Sequence, residues 1–267
     1  MQKRKLKVVL DPAHGNDVVG KCSPDKSHYE WMWSRERCKN IKVLLEEQGF
    51  EVYYSNDTDK EIGLSKRVSI TNALCKGKEN EFILISLHNN AAGMGDQWMT
   101  ATGFENYITD RNNKSKDIAN TMLSELVKDF PTIKNRGLKT ANFTVITVNC
   151  YSFLLEFLFQ DNKNDVELLK DPKINKIFEE CIRDTFIKID EQLFGTYLEI
   201  KEEPSVEIPD NSSSNEINNI NDETVVKPLT PPSLPDNTIN TNSPQSNNII
   251  TIILNFLSKL LKGILGK

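Results

Sequence analysis

An α/β fold, built on a single twisted and mostly parallel sheet of about six strands flanked by helices, is what this 267-residue sequence predicts. Three observations carry that expectation. Short apolar runs of strand length alternate with segments of helical period along residues 1–198, the pattern that strand–helix–strand crossovers leave in a sequence. The run FILISL (82–87) is apolar in the manner of a strand covered on both faces. Residues with chemical potential, including His14 and His88 among only three histidines, stand where such runs end. Open α/β sheets gather their functional groups beyond the carboxyl ends of strands.

Taken in order, KVVLD (7–11) reads as the first strand. A helix over about 30–48 follows, with Cys38, Ile41, Leu44 and Leu45 on one face and Gly49 as its stop. FEVYYS (50–55) is the second strand, and a second helix covers 64–76. FILISLH (82–88) and GFENYIT (103–109) are the third and fourth strands. The third helix, about 114–130, places Ile118, Met122, Leu126 and Phe130 four residues apart. FTVITV (143–148) and SFLLEFL (152–158) are rich in β-branched and aromatic residues and complete the sheet. The last helix, about 172–194, carries Ile174, Ile177, Cys181, Ile182, Ile189 and Leu193.

Composition narrows the function. The net charge is −5 and no basic stripe points to nucleic acid. MQKRK leads into strand-like residues rather than a long apolar core with a cleavage site, so no secretory signal is expected and synthesis in the cytoplasm is. Five cysteines, an odd number without a CxxC pair, read as reduced thiols, with Cys38 and Cys181 on apolar helix faces. Residues 199–247 are expected to be a disordered linker: the stretch 204–247 holds seven of the eleven prolines and nine asparagines, with no Phe, Tyr or Trp. Between Asn248 and Lys267, residues 248–267 are apolar except for a stripe of Thr251, Asn255, Ser258, Lys259, Lys262 and Gly266, and one further glycine. That stripe predicts an amphipathic helix suited to membrane-surface contact or to self-association.

Chemistry concentrates at the strand ends. The first strand runs into PAHGN with His14, the third strand ends at His88, and Glu30 opens the first long helix. Two imidazoles and a carboxylate are a ligand set for catalytic zinc, with a fourth position left over. Glu156 interrupts an otherwise apolar strand, where a carboxylate is costly unless it is protonated or beside a metal. That suits a general base with a raised pKa. Each residue also has a plainer reading: His14 in a turn, His88 with its hydrogen bonds satisfied at a strand end, Glu30 at a helix start favoured by the dipole, Glu156 in an ion pair, or His28 replacing Glu30 as ligand. The gaps between these residues do not choose among them.

The flanking sequence does. VVLDPAHG, Glu30, EEQGFEVYYSNDTD, LSKRVSITNA, SLHNNA, TGFENYI, RGLKTANFTVI and LLEFLFQDNKNDVELL occur in the order seen in zinc-dependent N-acetylmuramoyl-L-alanine amidases of the Amidase_3 type, which the chain resembles over residues 5–195. The resemblance implies zinc on His14, Glu30 and His88, with Glu156 as the proton carrier. The implied reaction is hydrolysis of the amide between N-acetylmuramic acid and L-alanine in peptidoglycan. It also points to Asn90 and Arg136 as substrate contacts, with Asn90 alternatively holding its own loop. Ala13 and Leu158 stand where the family usually has glycine, and Tyr151 where proline is common. The short stretch between His88 and Gly103 leaves no room for the autoinhibitory helix of some members. Without a signal peptide, a phage endolysin that reaches the wall on lysis is the expected role. A bacterial autolysin or spore-lysis amidase, or a catalytically dead wall-binding module, is the alternative.

Overall fold

The computed structural model describes residues 4–195; the expected linker and C-terminal helix lie outside the described residues. Six strands form one sheet: β1 (Lys7–Pro12), β2 (Glu51–Tyr54), β3 (Phe82–Asn90), β4 (Phe104–Ile108), β5 (Asn135–Thr140) and β6 (Tyr151–Phe159). Their spatial order is β2-β1-β3-β6-β4-β5. The first four in that order are mutually parallel; β4 runs antiparallel to β6 and parallel to β5. The helices are α1 (Glu30–Glu46), α2 (Leu64–Cys75), α3 (Lys116–Asp129), α4 (Lys163–Lys170) and α5 (Pro172–Phe194).

The period-two alternation of each strand sorts the sheet into two faces. Val8, Leu10, Ile83, Ile85, Leu87, Phe153, Leu155 and Phe157 belong to the larger core, with the apolar stripes of α1, α3 and α5. Its centre is aromatic: Trp33 stacks at 6.2 Å on Phe157, which lies 4.3 Å from Phe178. Trp33 also donates its indole N–H to Asn175 Oδ1 at 3.0 Å, joining α1 to α5. Val9, Phe82, Leu84 and Leu154 build a smaller core with Cys75 of α2 and with Val145, Ile146 and Val148.

Local chemistry sets the element ends. Gly49 takes φ 85 and its N–H bonds Glu46 O at 3.0 Å, closing α1 where the sequence placed its stop. Asp171 caps α5 through the N–H of Lys173 at 2.8 Å, with Pro172 in the first turn. The five cysteines are free thiols, four of them buried. No helix among the described residues is long and apolar enough to cross a membrane.

Two expectations are corrected. Residues 143–148 are not a strand: Thr144–Ile146 is a single 3₁₀ turn. Its β-branched side chains do not join a ladder but plug the second face of the sheet. The fifth strand is instead NRGLKT, an edge strand bonded only to β4, with every residue at least partly exposed and hence no apolar run to betray it. The eight-residue α4 was also missed; Asn162 caps it by accepting from the N–H groups of Asn164 and Asp165.

Between the paired positions His88–Glu156 and Asn90–Phe159, β6 carries one more residue than β3. This β-bulge puts Leu158 at φ 63, in the left-handed region, while its side chain stays fully buried in the larger core beside Phe157. A left-handed non-glycine residue costs roughly 1–2 kcal/mol, and deleting a buried leucine side chain roughly 2–5. Burial wins, so Leu158→Gly should destabilise the protein. Because glycine removes the backbone penalty that alanine retains, urea unfolding should show Leu158→Gly at least as stable as Leu158→Ala, by about 1 kcal/mol. This reverses the usual order at a strand position; a glycine variant clearly less stable than the alanine variant would contradict the account.

Candidate metal centre and its carboxyl neighbour

The smaller core turns polar toward the carboxyl ends of the strands. Along the same face, Val9 is followed by Asp11, Leu84 by Ser86 and His88, and Leu154 by Glu156, each two residues on. The apolar cover stops here and a cavity of about 310 Å³ opens, walled by Lys21, Leu64, Phe143, Val145 and Leu154.

His14 enters from the turn after β1. Its backbone takes φ 50, and its carbonyl accepts from Arg67 Nη2 at 2.8 Å and Arg35 Nη2 at 2.6 Å. Ser34 braces the same turn from α1, accepting from Ala13 N–H at 2.9 Å and donating to Leu87 O at 2.6 Å. The next residue must be glycine: a Cβ on Gly15 would lie 2.1 Å from the backbone nitrogen of Glu61.

Glu30, at the first position of α1, points its carboxylate between the two imidazoles. Oε2 lies 3.3 Å from His14 Nε2 and Oε1 lies 2.8 Å from His88 Nδ1. The Asn89 N–H and Gln160 Nε2 each donate to it at 3.2 Å. Burial alone would raise the Glu30 carboxyl, but the hydrogen bonds and charges of His14 and His88 outweigh it and hold it far below the ordinary range. Burial disfavours the charged His88 ring, yet Glu30 prevails and raises its pKa. One donor atom from each of His14, Glu30 and His88 lies within 4.8 Å of the others. Two imidazole nitrogens and a buried carboxylate aimed at one point are a donor set for a divalent metal ion.

Glu156 stands opposite His88 in the β3–β6 register and outside the three-donor group. Its Oε2 is sealed from solvent with no hydrogen-bond partner among the described residues. Burial pushes the carboxyl up to about 7; His88 opposes the rise, while Glu30 and Glu105 add to it.

The sequence-derived candidates separate clearly. His14, Glu30, His88 and Glu156 line the cavity together, as does Asn90. Asn90 also holds local structure, donating to Glu105 at 2.8 Å and accepting from the Ala91 N–H at 2.8 Å. Arg136 is not part of the cavity wall; it donates to Glu105 at 2.6 Å and lies over the Phe159 ring at 4.9 Å. His28 does not replace Glu30: it is buried, its Nε2 meets Asn89 Oδ1 at 2.8 Å, and it stays outside the donor group. Burial lowers its pKa, against the pull of Asn89.

Sequence reasoning missed Glu105 and Gln160. Glu105 accepts from Asn90, Tyr107, Arg136 and Lys139, and these bonds overcome its burial and bring its carboxyl down to about 2. It pairs directly with Glu156 across β4 and β6. Gln160 is buried and holds Glu30 with one end of its amide. For Glu105 the available signal was its alternation with Tyr107; Gln160 follows the bulge, where the period is broken and no pattern marks it.

The Amidase_3 family model, described as N-acetylmuramoyl-L-alanine amidase, matches residues 8–187. The N-acetylmuramoyl-L-alanine amidase CwlM of Bacillus licheniformis is 30% identical over 166 residues, covering 62% of this chain and 61% of that protein. The "Probable cell wall amidase LytH" of Staphylococcus epidermidis is 28% identical over 180 residues, 66% of this chain and 56% of that protein. The chain thus spans between 56% and 61% of the length of these curated relatives. Among solved structures, the N-acetylmuramoyl-L-alanine amidase from Clostridium difficile 630 aligns with a TM-score of 0.61 at 25% identity, over 70% of this chain and 97% of that one.

The Glu156 environment has a measurable cost. A carboxyl raised from 4.5 to about 7 on folding contributes its full stabilisation below the unfolded value and loses it as pH climbs through 7. Glu156→Gln, which never ionises, should therefore stabilise the chelator-treated protein at pH 8 by on the order of 1–3 kcal/mol. Thermal melts at pH 8 and pH 5 should show the advantage at the first and its near disappearance at the second.

Proposed function

The chain belongs to the Amidase_3 family of N-acetylmuramoyl-L-alanine amidases, and on that premise we propose that it is a zinc-dependent peptidoglycan hydrolase cleaving the amide between N-acetylmuramic acid and L-alanine. The observation that carries this reading is one cavity holding both a three-donor set, His14, Glu30 and His88, and a separate carboxyl, Glu156, whose ionisation burial has made difficult. Two imidazoles and one carboxylate suit zinc and leave a coordination place over. When bound, zinc supplies Lewis acidity that polarises a carbonyl and eases the ionisation of water.

The chain's own residues do the rest. Glu156, half-ionised near neutral pH, accepts the proton of the attacking water and delivers it to the leaving amine. Glu105 keeps a fixed negative charge beside it, held by Arg136 and Lys139 at 2.6 Å each. Asn90 contacts substrate from the cavity wall, and Arg136 acts next to it through their shared partner Glu105. The apolar side chains of Phe143, Val145 and Leu154 shield one side of the cavity.

In deployment, we place the enzyme as an endolysin that reaches the wall on host lysis. The relative named for a cell wall role supports a second reading, an autolysin or spore-lysis amidase. Cytoplasmic expression with and without a pore-forming holin tests the first reading, which expects lysis only with the pore. The partners assigned to residues 248–267, a membrane surface or a second copy, rest on their sequence alone.

Purified protein should contain about one zinc, and His88→Ala should lose both metal and hydrolysis. Glu156→Gln should keep the metal while activity falls by roughly 10²–10⁴. Mass spectrometry of digested peptidoglycan should show stem peptides with free L-alanine amino termini. Full activity in protein stripped of metal would overturn the reading.

A further inference from the structure

Behind His88 lies a chain of buried groups that the reaction does not use. Ser86 sits two residues earlier on the same face of β3, and Asp11 is its register partner on β1. His88 Nε2 lies 3.1 Å from Ser86 Oγ, and Ser86 Oγ donates to Asp11 Oδ2 at 2.6 Å. The other oxygen of Asp11 accepts from Arg67 Nη1 at 3.0 Å and from the Ser55 hydroxyl. Asp11 and Arg67 are each 1% exposed and Ser86 is fully buried. The same guanidinium donates to the carbonyl of His14 at 2.8 Å.

We propose that Ser86, anchored by Asp11 and Arg67, is a positioning residue that fixes the ring and the tautomer of His88, so that Nδ1 is the atom offered to the metal. This rests on reading His88 as a metal ligand. The argument is proton counting. A serine hydroxyl has one proton, and here it is committed to the Asp11 carboxylate. Toward His88, Oγ can therefore only accept, which requires the proton on Nε2. Nδ1, hydrogen-bonded to Glu30 Oε1 at 2.8 Å in the metal-free site, is then the nitrogen left to the metal, where the donor group converges. Carboxylate-backed imidazoles are a recurring way to orient metal ligands; here one serine is interposed between the imidazole and the acid. Arg67 completes the device by tying the backbone of His14 and, through Asp11 and Ser86, the ring of His88 to one fixed cation.

Direction is the property that distinguishes this relay from simple packing. Asp11→Asn keeps the shape but can turn the amide N–H toward Ser86 Oγ, which frees the serine proton for Nε2 and moves the imidazole proton to Nδ1. Ser86→Ala removes the preference altogether. With only three histidines in the chain, ¹⁵N NMR of full-length protein labelled on histidine can assign each ring. In zinc-loaded wild type, His88 should bind the metal through Nδ1 and carry its proton on Nε2; in zinc-loaded Asp11→Asn the Nε2 resonance should lose the shift of a hydrogen-bonded N–H. Zinc competition against a chromogenic chelator should show Ser86→Ala and Asp11→Asn weakened by about 10–100-fold. Circular dichroism checks folding, and if Asp11→Asn does not fold, Ser86→Ala alone decides. The relay is overturned if the folded variants bind zinc as tightly as wild type, or if zinc-loaded wild type holds the metal through Nε2 of His88. A wild type that takes up no zinc would instead refute the metal reading, and the relay with it.

Discussion

A carboxylate that is 1% exposed sets the terms for the rest of the molecule. Burying an ion such as Glu30 costs several kcal/mol unless opposite charge and hydrogen bonds surround it. Its compensation arrives from the end of β1 in His14, from β3 in His88 and the Asn89 N–H, and from the far side of β6 in Gln160. The last three lie 58, 59 and 130 residues away along the chain. No local segment satisfies Glu30; only the closed sheet does. The centre is thus a property of the topology, and the parallel neighbours β1, β3 and β6 are the part of the sheet it cannot do without.

The two faces of that sheet divide the labour. One is covered along its length by α1, α3 and α5 and holds the aromatic cluster of Trp33, Phe157 and Phe178. The other is covered only partway, by α2 and the turn at 144–146, and beyond that cover Asp11, Ser86, His88 and Glu156 project in rows. The bulge at Leu158 lets β6 serve both faces. It allows Phe157 and Leu158 to face the same core in succession, and it brings Gln160 back onto Glu30.

Much of this was legible in the sequence, for identifiable reasons. β1, β3 and β6 announce themselves because burial on both sides demands apolar runs, β2 and β4 by short stretches with aromatic residues, and α1 and α5 because their stripes and end signals agree. β5 was hidden because an edge strand with every residue partly exposed needs no apolar pattern, and residues 143–148 took its place because burying β-branched side chains does not require a ladder. His14, Glu30, His88 and Glu156 stood out as polar residues at ends or breaks of apolar segments. Glu105, Gln160 and Arg67 did not, since each is defined by partners from distant segments. His28 resembled a ligand by its place near Glu30, but Asn89 occupies its Nε2.

The free thiols carry a consequence for durability. Burial pushes the Cys38, Cys150 and Cys181 thiols far above their ordinary range, so the reactive thiolate is scarce while the chain stays folded. The chain has no disulfide among its described residues, so an oxidising medium would meet only thiols. Its shelter is kinetic: oxidants reach those sulfurs only during an opening of the core, so lifetime in an oxidising medium follows the rate of unfolding. Cys22, half-buried in the loop that leads to α1, is the exception, the thiol that air and alkylating reagents meet first.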